Sequence, residues 1–114
     1  MDVDEWLEGL RGLSVDEKVQ VHFNLQEQIK HHYRLRDKED HLQRAIQLCE
    51  QSVVFAKLAL PALKKKWQRD FPGVDFCVPA HHGYRQLITI MKKQKNLVRV
   101  AELEKKRDRE GWAK

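Results

Sequence analysis

The sequence is poor in the residues that make turns and crosslinks. It has 5 Gly and 3 Pro in 114 residues. An all-β fold needs turn residues every 8–12 positions or so, and this chain cannot supply them. It has only 2 Cys, Cys49 and Cys77, far apart and outside any CxxC or Cys/His zinc spacing. Two thiols in a reducing, cytoplasmic setting are expected rather than a disulfide framework. There is no GxGxxG, GxxxxGK[ST] or HExxH segment, so nothing points to nucleotide binding or zinc-protease chemistry. The first residues, MDVDEWLEGL, are acidic and do not read as a signal peptide. The longest apolar stretch, Ala56 to Leu63, is broken by Lys57 and Pro61, far short of the ~20 residues of a membrane-spanning helix. No membrane association is expected.

What is abundant is charge. Charged residues make up 34% of the chain and hydrophobic ones 41%. That balance suits amphipathic helices with one solvated face. A chain of this length forms one domain, spanning 1–114, and hides roughly two-thirds of its unfolded surface. The net charge of +5 is uneven. Residues 1–20 hold six acids against two bases, whereas residues 82–114 hold ten bases against four acids.

The periodicity predicts an all-α fold. Asp2 followed by Glu5 opens a short helix carrying Trp6, Leu7 and Leu10, ended by Gly12, that braces the domain. Ser14-Val15-Asp16-Glu17 is a capping box opening a long helix from Val15 to about Arg36. Its apolar marks are Val19, Phe23, Ile29 and Tyr33, with Val21, Leu25 and Leu35 beside them and His22 and Gln26 inside the stripe. Asp37 to Asp40 form a break whose acids cap the next helix. There Leu42, Ala45, Ile46, Cys49, Val53, Ala56 and Leu60 follow steps of three and four. Pro61 predicts a kink or stop near Ala59, with a second short helix from Pro61 to Asp70. Phe71-Pro72-Gly73 is a turn, and residues 74–80 form an extended connector. A helix from His82 to Gln94 has the stripe Tyr84, Leu87, Ile88 and Met91. A final helix from Leu97 turns Val100, Ala101 and Leu103 inward, is solvated after Glu104, and leaves Trp112 to pin the tail.

The segment YRQLITIMKKQKNLVRVA, residues 84–101, resembles a tetratricopeptide helix pair. Tyr84, Leu87, Ile88 and Met91 fall on the first-helix positions, and Leu97 and Val100 with Ala101 on the second. The chain departs from the pattern at four places. Ile88 stands where a small residue is usual, Met91 replaces an aromatic, Lys95 occupies the turn glycine, and the proline that would close the repeat is absent. An earlier echo runs from Ile29 and Tyr33, across Asp37, to Leu42, Ala45, Ile46 and Leu48. The strings HYRLRD, AIQLCEQ and VPAHHGYRQLITIMKKQ are similar to bacterial proteins with such hairpins, over roughly residues 29–101. The resemblance implies antiparallel helical hairpins, a fragment of an α-α superhelix with an extra N-terminal helix. Three repeats are usually needed to bury the stripe of such hairpins. With two pairs, the extra helix and connector close the core, or a homodimer does.

The chemistry-bearing residues favour bland roles. His31-His32 and His81-His82 are adjacent pairs, about 100° apart on a helix, so neither pair shares a face. No metal or other cofactor is expected. Ser14 is a cap and Cys49 lies on an apolar stripe. Cys77 with His81 and His82 is the only local thiol–imidazole grouping, and no orienting third group accompanies it. The chain therefore reads as a non-enzymatic protein-interaction module for a peptide or partner helix. Tyr33, Arg36, Tyr84, Gln86 and Lys93 are the candidate contact residues. The alternative is nucleic acid binding or regulation through Lys64 to Lys66, Arg69 and the C-terminal basic set Lys92, Lys93, Lys95, Arg99, Lys105, Lys106, Arg107 and Arg109. Interleaved acids make ion pairs such as Glu102 to Lys106 the competing reading of that set.

Overall fold

The computed structural model describes residues 2–114. It contains five helices: α1 (Val3–Arg11), α2 (Val15–Arg34), α3 (His41–Asp70), α4 (His82–Lys93) and α5 (Leu97–Glu110). The fold is all-α. Among the described residues the one β-type contact is a parallel bridge between Ala80 and Ala113.

The helix starts follow the local sequence. Asp2 accepts from the Glu5 N–H at 2.8 Å. The capping box is complete, with Ser14 Oγ accepting from the Glu17 N–H at 3.1 Å and Glu17 Oε1 from the Ser14 N–H at 3.0 Å. Each such cap contributes about 1 kcal/mol by satisfying an orphan donor of the first turn. Asp40 departs from expectation, because it makes no side-chain cap bond to α3. His81 is an unexpected cap, its Nδ1 accepting from the Tyr84 N–H at 3.0 Å.

Contacts between helix ends define the direction of each helix. Arg69, at the end of α3, forks onto Asp16 at the start of α2, at 2.7 and 3.2 Å. Tyr84, at the start of α4, donates to Glu110 at the end of α5, at 2.6 Å. Both hairpins are thus antiparallel. Lys93 at the end of α4 reaches Tyr33 at the end of α2, so these two helices run the same way. The four long helices alternate down and up, and α1 lies across the first hairpin with Leu7 buried and Trp6 against Phe55, ring centroids 6.1 Å apart.

Pro61 does not stop α3. The helix runs on for 30 residues, because the neighbours on its inner face, Ala59 and Ala62, are buried while Pro61 itself faces solvent. The lost hydrogen bond and ring clash, about 3 kcal/mol, are offset by packing on both sides. By length and composition alone α3 is long and apolar enough to cross a membrane. Its apolar residues Ala45, Cys49, Val53 and Ala56 are here part of the core.

The core draws on every helix. Tyr84, Phe55, Ile29, Leu48, Leu87 and Leu103 are its largest fully buried side chains. The stripe on α4 is as expected, with Tyr84, Leu87, Ile88 and Met91 all buried. On α2 the buried face is Val19, His22, Leu25 and Ile29, so it holds His22 and leaves Phe23 44% exposed. On α5, Val100 and Leu103 are buried, but Ala101 is exposed and Leu97 is 68% exposed. The helix turns by a register that spends its inner positions on Val100, Leu103 and Arg107 instead.

Close approach of α4 to α3 occurs at Gly83. A Cβ there would lie 2.6 Å from Ser52 Oγ and 2.9 Å from the His81 ring. Gly83 thus serves the crossing of α4 on α3, not the α4–α5 pair in which position 88 lies. In the turn before α5, Lys95 takes the left-handed conformation at φ 59°. The tail folds back through the Ala113 N–H, which donates to Pro79 O at 3.2 Å. Trp112 is buried between the His22 and His81 rings, with centroids at 5.9 and 4.7 Å.

Candidate partner-binding surfaces

Three of the five expected contact residues meet at one end of the molecule. Arg36 stacks on the Tyr33 ring at 4.4 Å and its guanidinium donates to Tyr33 O at 3.0 Å. Lys93 Nζ donates to the Tyr33 hydroxyl at 3.1 Å. With Asp37, Leu42, Ile90 and Gln94 they line a cavity of about 230 Å³. The polar groups here already face one another, so the cluster acts as a latch between α2 and α4.

Tyr84 is not a surface contact. It is 0% exposed, and its hydroxyl donates to Glu110 and receives a bond from Lys106 at 2.9 Å. Burial first, then Glu110, pushes its phenol well above the usual range. An amphipathic stripe buries its largest member, and Tyr84 follows that rule. Gln86, half-buried on α4, is not drawn into the latch.

The C-terminal basic set is partly consumed internally. Arg99 donates to Glu50 at 2.6 Å and to Glu102 at 3.2 Å. Lys106 enters the fold, donating to Val53 O at 2.9 Å and pairing with Glu110 at 2.6 Å rather than with Glu102. Arg107 is buried and bonds Asp108. The chain after Glu104 is thus not simply solvated. Lys92, Lys95, Lys105 and Arg109 remain exposed.

The Cys77 grouping does not assemble. Cys77 is exposed on the connector, whereas His81 is buried with Nδ1 committed to the α4 cap. Burial, reinforced by His22 and Lys106, holds His81 down at about 3. Burial alone holds His22 at about 4. Both rings are neutral and structural at neutral pH. Cys49 is buried and its thiol is pushed up to about 12. Among the described residues no group of three or more His, Cys, Asp and Glu side chains has an arrangement able to hold a metal ion.

A second surface was not legible as such in the sequence. Phe23 from α2, Leu63 and Trp67 from α3, and Phe71, Phe76 and Pro79 from the connector border a groove of about 400 Å³. Phe71 is 49% exposed. Trp67 packs on Phe71 at 4.4 Å and ties the connector by donating to Val74 O at 3.0 Å. The signal that could have found it is the apolar connector, whose Val74, Phe76 and Val78 had no partner strand. Comparison with known proteins returns no matching family model, no matching curated protein and no matching solved structure.

Proposed function

We propose that the chain is a protein-interaction module that takes an acidic amphipathic peptide or partner helix into the groove between α2, the end of α3 and the connector. The observation that carries this reading is the run of exposed aromatics at one site, Phe23 and Phe71 beside Trp67 and Phe76. Aromatic anchors in a concave site are where binding energy concentrates. The occupant's charge follows from the last turns of α3. From Lys57 on, the helix carries Lys57, Lys64, Lys65, Lys66 and Arg69 against one acid, Asp70. Lys66, on the groove, and Arg69 are already paired with Asp70 and Asp16, and Lys64 and Lys65 are exposed on the same turns, outside the groove lining. The alternation of helix direction in two hairpins supports the tetratricopeptide-like reading and is part of the same proposal. A cytoplasmic setting belongs to it as well, on the two unjoined thiols.

The test is selection from a random-peptide display library, followed by mapping of amide shifts. Enriched peptides are expected to carry one or two large apolar anchors flanked by acids, and to shift resonances of Phe23, Trp67 and Phe76. Phe23→Ser combined with Phe71→Ser is expected to weaken binding about tenfold or more with an unchanged melt, since both rings are half in solvent. Shifts confined to Lys92, Lys95, Lys105 and Arg109, with DNA or RNA binding that falls steeply with salt, overturn the proposal in favour of a nucleic acid reader. A concentration-dependent mass, with the groove closed by a second copy, overturns it in favour of a homodimer.

A further inference from the structure

The turn between α2 and α3 brings three imidazoles together. His31 and His32 lie in the last turn of α2, and His41 is the first residue of α3. The ring centroids of His32 and His41 are 5.1 Å apart, and His31 stands edge-on to both. The Nδ1 atoms of His32 and His41 face each other at 2.9 Å. Two imidazole lone pairs cannot sit at that distance with nothing between them. They share either a proton or a cation.

A single N–H···N hydrogen bond gives the same 2.9 Å separation. Two imidazoles brought together from two helices are also the donor pair that first-row divalent cations take, with copper(II) favoured by the Irving–Williams order. We infer that His32 and His41 form a two-histidine chelate for a divalent transition-metal cation, with solvent completing the coordination.

The surroundings fit this role. The rings come from two helices, so a bound ion clamps the α2–α3 turn. His32 and His41 are half-buried, which leaves room for solvent ligands. Metal binding needs both imidazoles in the neutral form. The inference is independent of the groove, which lies at the other end of the first hairpin.

The experiment is calorimetric titration of the full chain with copper(II), nickel(II) and zinc(II) at pH 7.5, with copper(II) electron paramagnetic resonance on the same samples. One ion per chain is expected, with affinity falling from copper to zinc and superhyperfine structure from two nitrogens. His32→Gln and His41→Gln are each expected to lose affinity about tenfold or more, while His31→Gln and His82→Gln keep it. Imidazole nitrogen shifts on the unaltered chain give a second readout that does not depend on any variant folding. Zinc, being diamagnetic, should move Nδ1 of His32 and His41 first. No saturable binding of any of the three ions means the pair shares a proton only and sinks the inference. Binding that survives both Gln variants, or shifts centred on other histidines, does the same.

Discussion

Mild acid should cost this protein much of its stability, through two rings in its core. His22 and His81 pack against each other and against Trp112 with almost no exposure. Burial holds them at about 4 and about 3 in the folded chain, from an ordinary 6.5. The unfolded chain therefore binds more protons between those values. The stability tied to both rings is fully present above pH 6.5 and is lost progressively as the pH falls toward 4 and 3. At pH 5 each unfolded imidazole is mostly protonated and each folded one mostly neutral, which costs about 2 kcal/mol per ring, or about 4 kcal/mol together. His82 and His32 are shifted in the same direction and add to the loss. Asp16, Glu17 and Asp70 are held low by their hydrogen-bonding partners and lose their contribution only at more acid pH. The assay is urea unfolding at pH 7 and pH 5, on the wild-type chain and on His22→Leu. The wild-type chain should lose about 4 kcal/mol and the variant about 2 kcal/mol. Equal midpoints for the wild-type chain at the two pH values would falsify the reasoning, as would a His22 imidazole that titrates near 6.5 in the folded state.

Two further perturbations test the packing. Gly83→Ala drives a methyl into Ser52 and His81, so thermal unfolding should show a loss of about 1–3 kcal/mol from overpacking; a neutral result would mean that α3 and α4 slide apart freely. Cys77 should react with iodoacetamide at least a hundredfold faster than Cys49, read by mass spectrometry, because only the exposed thiol meets reagent while burial pushes Cys49 up to about 12; comparable rates would place Cys49 at the surface.

Much of this architecture follows from local sequence alone. The capping box at Ser14, the start at Asp2 and the stripe from Tyr84 to Met91 are decided by interactions within one or two helical turns. So is the break after Phe71, where Pro72 and Gly73 end α3. A propensity or a cap needs no distant partner, and these positions behave as read. The all-α class rests on the same ground, since few turn residues and a 3.6-residue period leave no other economical way to bury the apolar side.

Tertiary structure decided what local rules cannot rank. Which of His22 and Phe23 goes inside depends on whether Trp112 and His81 arrive to stack on the imidazole, and they come from the other end of the chain. Pro61 predicts a kink or stop because its local cost is real, but burial of Ala59 and Ala62 on either side carries the helix through it. Tyr84 could stand inside or outside on spacing alone; Glu110 and Lys106, brought back by the last helix, give its hydroxyl a buried partner. Ala101 and Arg107 exchange expected places because the inward register of α5 is set by Arg99 on Glu50 and Lys106 on Val53 O, contacts across 49 and 53 residues. The facing of His32 and His41, and the meeting of Phe23 with Trp67 and Phe76, arise only when the chain turns back on itself. Composition and period determine that this chain makes helices, because those forces act over a few residues; which side chains face one another across helices is fixed by packing, where each buried group must find its partner at a distance in sequence that no local pattern encodes.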